Sequence, residues 1–263
     1  MTQTPSTWYR SHTLSSDPND CFPLLHYGIL EGDNFAYFIQ VDERSVLAID
    51  VPDGKKMLAT LRENSWKLEA LLLTHTHHDH IVGLPEVVEQ TGCRFYHPEG
   101  AAGIPRGRGL VDGQDLDLHG HQLKVIETSG HSPLDLSFWF PDLHLCFCGD
   151  TLFAWGCGRM FSGPASRLWE SIKRLRSLPD QTLLCCGHDY AADNRRFYKQ
   201  ALPGLKPLIP IGEEIPMPLD LRTQKRENPF LRADDPEIAL ALGLENKEPS
   251  EVFKKLRELR NHL

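Results

Sequence analysis

Short apolar runs separated by charged or small residues dominate the first part of the chain. Residues 35–41 (FAYFIQV) and 45–50 (SVLAID) read as two strands joined by the charged turn Asp42-Glu43-Arg44, and 21–29 offers a further strand ahead of them. Between 55 and 65, Met57, Leu58 and Leu61 recur at helical spacing. The run LEALLL (68–73) has the character of a buried sheet strand and passes directly into Thr74-His75. A helix is predicted over 84–90 and a strand near 93–97.

The same rhythm returns downstream. QLKVIET (122–128) runs into Ser129-Gly130-His131. LSFWF and LHLCFC flank Pro141-Asp142 as a predicted hairpin (136–148) that ends at Gly149-Asp150. Leu168, Ile172, Leu175 and Leu178 share one helical face over 166–178, and TLLCC (182–186) is another buried strand, ending at Gly187-His188. Beyond His188 the pattern changes. Residues 203–236 are Pro-rich without strand alternation, and helical spacing resumes at about 236–242 and 250–261. The expected organisation is a loose polar extension over 1–20, a main domain over 21–188 and a small helical domain over 189–263.

Composition narrows the class. With 263 residues, 40 % hydrophobic and 24 % charged, the chain is an ordinary globular protein able to bury roughly three quarters of its unfolded surface without disulfide or metal staples. Twenty-eight basic against thirty-six acidic residues give a net charge of −8, which disfavours nucleic-acid and anionic-membrane partners. No apolar run approaches the roughly 18 residues of a membrane span, and no signal-peptide core opens the chain. A cytoplasmic location and a monomer or weak homo-oligomer are the expectations. The seven cysteines are irregularly spaced, as buried thiols are rather than a disulfide framework.

Histidine stands out instead: 13 in all, four of them within residues 75–80. In T74-H75-T76-H77-H78-D79-H80, one turn can aim His75 and His77 at one metal and Asp79 and His80 at a neighbour; imidazole and carboxylate suit Zn²⁺, Fe or Mn²⁺. His131, Asp150 and His188 follow the same grammar of apolar strand, small residue, potential ligand. Together they balance two sites: His75, His77 and His131 at one, Asp79, His80 and His188 at the other, with Asp150 bridging. A shared open position suits a water, whose pKa falls toward neutrality on a metal, and Asp79 can orient that nucleophile. No G-x-S-x-G elbow and no Cys/His nucleophile pair offers a covalent route.

THTHHDH, TSGHS, FCGDTLFAWGCGR and CCGHDY, in this order, resemble the metallo-β-lactamase superfamily and, more closely, glyoxalase II, the hydroxyacylglutathione hydrolases, over nearly all of 21–263. The resemblance implies a four-layered αβ/βα sandwich with a small C-terminal helical domain. It implies two divalent metal ions per chain (zinc first, iron or manganese also), and hydrolysis of the thioester S-lactoylglutathione to D-lactate and glutathione. The family's metal ligands fall on His75, His77, Asp79, His80, His131, Asp150 and His188. Its glutathione contacts fall on Arg159, Tyr190, Arg257 and Arg260. The two C-terminal arginines are three apart in LRELRNHL, on one helix face, and Arg clamps a carboxylate bidentately. Against the family pattern, Phe161 replaces a Tyr, Ser129 a Pro, Asn261 and Leu263 an Asp and a Phe, and Ile81-Val82-Gly83-Leu84 stands where two glycines and an Asn are usual.

The alternatives are a lactonase or β-lactamase-like hydrolase of the same fold, a glutathione persulfide dioxygenase, a nucleic-acid-processing relative, and a non-catalytic metal- or glutathione-binding protein. The segment 190–263 argues against the dioxygenase, the acidic balance against nucleic acid, and the complete ligand set against mere binding.

Overall fold

Strands β4 (Ser45–Ile49) and β5 (Lys67–Leu72) lie side by side and parallel, Val46 opposite Leu68 and Ile49 opposite Leu72, so both present their C-terminal ends at the same edge. This pair anchors the structure, a computed structural model describing residues 8–14, 21–104, 106–205 and 217–262. The chain forms two compact units, residues 1–125 with 138–144, and residues 126–137 with 145–263.

The first unit carries a seven-stranded sheet in sequence order: β1 (Arg10–Thr13), β2 (Leu24–Glu31), β3 (Asn34–Gln40), β4, β5, β6 (Arg94–Pro98) and β7 (Arg108–Leu110). The first four are antiparallel and the last four parallel. The predicted turn between β3 and β4 forms because the Asp42 carboxylate accepts from the backbone N–H groups of Arg44 (2.8 Å) and Ser45 (2.7 Å). Helix α1 (Gly54–Glu63) starts at Asp53, which caps Lys56 N, and turns Met57, Leu58 and Leu61 into the core. Helices α2 (His78–Ile81) and α3 (Leu84–Thr91) follow β5, and the hairpin of β8 (Asp115–Leu118) and β9 (His121–Glu127) ends the unit's long segment.

The expectation of a loose extension over 1–20 is corrected for its described part. Arg10–Thr13 pair with Leu24–Tyr27 as an edge strand, and the Trp8 indole N–H donates to Thr60 Oγ1 at 2.8 Å. Two large aromatics anchored on α1 outweigh the polar composition of the strand itself.

Strands β10 (Leu136–Phe140) and β11 (Leu145–Gly149) form on either side of Pro141-Asp142 as predicted. In the second unit β11 runs parallel to β14 (Leu183–Cys186), Leu145 opposite Leu183, and β14 pairs with β15 (Leu219–Asp220). A small hairpin, β12 (Leu152–Phe153) and β13 (Gly156–Cys157), follows β11. Helix α4 (Ala165–Arg176) buries Leu168, Ile172 and Leu175, the face read from spacing. Helices α5 (Ala191–Ala201), α6 (Leu221–Glu227), α7 (Pro236–Ala241) and α8 (Pro249–Asn261) complete the unit. Its aromatic core joins Phe230 to Phe197 (ring centroids 5.7 Å) and to Phe253 (5.9 Å).

Cys146, Cys148, Cys157, Cys185 and Cys186 are buried free thiols, and burial pushes their pKa values up. Among the described residues no helix is long and apolar enough to cross a membrane.

Candidate metal centre

The parallel pair β4–β5 explains the first cluster. Asp50 and Thr74 emerge next to one another, Asp50 N donating to Leu72 O at 2.9 Å. Asp50 is buried in left-handed backbone (φ 55°). Its Oδ1 accepts from Thr74 N and its Oδ2 from Thr74 Oγ1, both at 2.8 Å, and Oδ2 also accepts from His80 Nδ1 at 2.9 Å. Because the Thr74 hydroxyl proton goes to Asp50, its oxygen accepts from His75 Nδ1 at 3.0 Å. Both buried imidazoles are thereby held with Nδ1 protonated and Nε2 as the donor atom, the arrangement that carboxylate-backed metal ligands use.

His75 Nε2 faces His77 Nδ1 at 3.1 Å, near the ~3.3 Å between two nitrogens on a tetrahedral ion with bonds of about 2.0–2.1 Å. His80 Nε2 lies 4.0 Å from Asp79 Oδ2. Asp79 is exposed at the start of α2, and Asn34 Nδ2 donates to its Oδ2 and its backbone oxygen, each at 3.2 Å. His78, the fourth histidine of the run, faces solvent. The unusual Ile81-Val82-Gly83-Leu84 turn closes on the end of β4: Val51 N donates to His80 O (2.7 Å) and Gly83 N to Val51 O (3.1 Å). A Cβ on Gly83 would collide with the backbone of Gly54, so this turn keeps the one glycine that its packing requires.

The second unit repeats the logic with β11 and β14. Gly187 N donates to Gly149 O at 2.9 Å, which sets Asp150 and His188 side by side. Asp150 Oδ2 lies 3.3 Å from His188 Nε2 and 3.5 Å from His131 Nε2, so one carboxylate oxygen stands between two buried imidazoles. His131 Nδ1 donates to the backbone oxygen of Arg159 at 3.1 Å, again leaving Nε2 as the donor atom. Ser129, in place of proline, holds the approach to His131: its hydroxyl donates to Glu127 Oε1 (2.8 Å), and its carbonyl accepts from Ser171 Oγ of α4 (2.7 Å). In the same loop, burial raises the Asp135 carboxyl to about 7 against the hydrogen bonds from Ser132, with nearby Asp150 adding to the rise.

The predicted glutathione contacts lie in this unit with different surroundings. Arg159 is exposed. The Tyr190 ring stacks on His188, centroids 5.0 Å apart and planes within 5°. Arg260 donates Nε to Asn194 Oδ1 at 2.8 Å, and Asn194 in turn donates to Ala154 O at 2.9 Å. Arg257 is buried, with NH1 on Cys157 O at 2.6 Å and its guanidinium over the Phe230 ring at 5.5 Å. Burial lowers the pKa of both arginines, and Arg159 lies close enough to repel both. Phe161 is exposed with its ring against His131, Asn261 ends α8, and Leu263 lies outside the described residues.

Asp50, Asn34 and Asn194 are site residues that strand-end reasoning passed over. SVLAID ends in Asp50 by the same rule that marked Asp150, so one of the three was visible in the pattern. The two asparagines act through pairings 45 and 66 residues away in sequence, which no local signal reveals.

Two family models match the chain. The metallo-beta-lactamase superfamily model covers residues 31–188, and the hydroxyacylglutathione hydrolase C-terminus model covers 212–263. The chain is 38 % identical over 252 residues to a hydroxyacylglutathione hydrolase of Methylobacterium sp. (strain 4-46), covering 91 % of this chain and 99 % of that one. It is 35 % identical over 242 residues to the protein of that name from Rhodopseudomonas palustris (strain HaA2), covering 88 % and 95 %. Among solved structures it is similar to ETHE1 from Myxococcus xanthus (TM-score 0.65, 24 % identity, 89 % of each chain), a likeness of fold. It is also similar to TTHA1623 in a di-iron-bound form (TM-score 0.53, 30 % identity, 64 % of this chain and 91 % of that one). The fold is thus the metallo-β-lactamase α/β sandwich followed by a C-terminal helical region, and its His and Asp groups imply divalent metals.

Proposed function

The chain belongs to the hydroxyacylglutathione hydrolase family of the metallo-β-lactamase superfamily, and from that membership we propose how its residues hydrolyse S-lactoylglutathione to D-lactate and glutathione. The observation that carries the reading is the state of the imidazoles: His75, His80 and His131 each spend Nδ1 on a fixed acceptor and keep Nε2 for a metal. His75, His77, Asp79, His80, His131, Asp150 and His188 would hold the two divalent ions. Zinc is the first choice for this donor set, and iron or manganese also fit it. Bound there, the metals lend Lewis acidity to the thioester carbonyl and lower a water's pKa toward neutrality.

The chain's own groups do the rest. Asp79, steered by Asn34, orients the attacking water through its carboxylate. Arg159 and Arg260 bind glutathione carboxylates, Arg260 aimed by Asn194. Tyr190 is held flat by His188 and lines the thiol side. Arg257 sets the Gly156–Arg159 loop through the Cys157 carbonyl. The departing thiolate is stable, so no strong general acid is needed beside it. Residues 21–188 thus carry the metal chemistry and 189–263 most of the thiol recognition, a division that the two family-model spans support. The reaction takes place in the cytoplasm.

The test is hydrolysis of S-D-lactoylglutathione by the zinc-loaded protein, read as loss of thioester absorbance with matching release of thiol. A thioester left intact while a lactone or β-lactam is opened overturns the assignment.

A further inference from the structure

The turn between β12 and β13 is buried, and buried backbone N–H and C=O groups need partners. Side-chain amides from later in the chain supply them. Asn228 donates its Nδ2 to Phe153 O at 3.0 Å and to Gly156 O at 3.1 Å. Asn194 of α5 donates to Ala154 O at 2.9 Å, and Gln224 Oε1 of α6 accepts from Trp155 N at 3.0 Å. All three amide side chains are buried, and they lie 40 to 75 residues away from the backbone they bind. The turn is also strained. Trp155 holds left-handed backbone (φ 50°), rare for a bulky residue. Such a conformation persists only where its surroundings fix it, and it collects at functional sites.

Three ligand residues of the metal centre meet this hairpin. Asp150 enters it, with Thr151 alone between it and β12. The Phe153 ring stands edge-on to His188, centroids 6.1 Å apart at 75°. At the exit Gly158 N donates to Thr151 O at 3.2 Å, and the next carbonyl, that of Arg159, accepts from His131 Nδ1 at 3.1 Å. We propose that Asn194, Gln224 and Asn228 are positioning residues for the metal centre: their amides lock the hairpin, and the hairpin sets His131, Asp150 and His188. This rests on the metal-site reading above and extends it into the C-terminal helices. Phe153 and Gly156 face each other across the hairpin, so the two Asn228 bonds fix both of its strands at once. A carboxamide offers donor and acceptor together, which a turn presenting both C=O and N–H groups requires. Metal affinity depends on ligands held in place by the groups behind them.

The test measures zinc affinity by chelator competition, in full-length protein with native circular dichroism. Asn228→Ser keeps a side-chain oxygen to cap Phe230 N, as Asn228 Oδ1 does at 3.0 Å, and removes both hairpin bonds. Asn194→Asp keeps an acceptor for Arg260 Nε and sets a carboxylate oxygen, in place of a donor, against Ala154 O. Zinc affinity is expected to fall about 10–100-fold in Asn228→Ser and about tenfold in Asn194→Asp. A clamp that served the fold alone would lower the urea midpoint and leave zinc affinity at the native value. Native zinc affinity in the folded variants therefore overturns the inference while the metal centre stands. Should Asn228→Ser fail to fold, Asn194→Asp decides alone. A native protein that takes up no zinc overturns both.

Discussion

The carboxylate of Asp50 accepts the Nδ1 proton of His80 at 2.9 Å while also taking the backbone and hydroxyl protons of Thr74. One buried side chain therefore fixes His80 directly and His75 through Thr74. Asp50→Ala is expected to lower metal affinity about 10–100-fold, the usual effect of losing such a support. It also strands buried donors, at about 1–3 kcal/mol each. Chelator competition reads the first effect and urea unfolding of the metal-free protein the second. Unchanged metal affinity would remove Asp50 from the site.

Gly158 lies where no side chain fits. A Cβ there would collide with the backbone oxygen of Asp150 and crowd the His131 ring at 3.0 Å. Neither neighbour is a flexible tip, and both belong to the cluster around the Asp150 carboxylate. Gly158→Ala is expected to lower the bound metal from two ions to one or none, read by elemental analysis of protein with native circular dichroism. Two bound ions in that variant would contradict the tight packing.

Much of this was legible in the chain. SVLAID, LEALLL and TLLCC are strands because β-rich apolar runs have nowhere else to go, and each brings a polar side chain of the site to its C-terminal end or just past it: Asp50, His75 and His188. Leu168, Ile172 and Leu175 declared α4 by spacing. Helices α5 and α6 stayed hidden for a physical reason. In AADNRRFYKQA only Phe197 and Tyr198 are large apolar residues, and α6 is set by the Asp220 cap on Thr223 N rather than by periodicity. The arginines were legible as a helix face but not as unequal partners. Burial of Arg257 depends on Cys157, 100 residues distant.

Asp135 predicts a specific pH dependence. Burial raises its carboxyl from 3.8 to about 7 in the folded chain. Below about 3.8 both states hold the proton and the group has no differential effect. As pH rises, the unfolded chain releases its proton while the folded chain keeps it, so stability falls until about 7 and then levels off. Asp135→Asn is expected to remove this slope. Metal-free protein should gain on the order of a few kcal/mol at pH 8 and nothing near pH 3, measured by urea unfolding across that range. Parallel profiles for the two proteins would show that the carboxyl is not buried as described.

Arg257 and Arg260 should separate under mutation. Arg257 is buried, bonded to Cys157 O and stacked over Phe230, so its loss opens a gap beneath the loop that carries Arg159. Arg257→Ala is expected to cost about 2–4 kcal/mol of stability, from a charge-assisted hydrogen bond and a cation–π contact. Arg257→Lys would recover part of it. Arg260 is half-buried with one hydrogen bond, to Asn194. Arg260→Ala is expected to leave stability within about 1 kcal/mol while raising KM for glutathione thioesters about tenfold, with kcat little changed, because it removes binding shared by ground and transition states. Asn194→Ala frees the Arg260 guanidinium without deleting it and should raise KM less than Arg260→Ala. Thermal melts beside Michaelis–Menten curves for these variants decide the matter. A KM for Arg260→Ala equal to the native value would take that side chain out of thiol recognition.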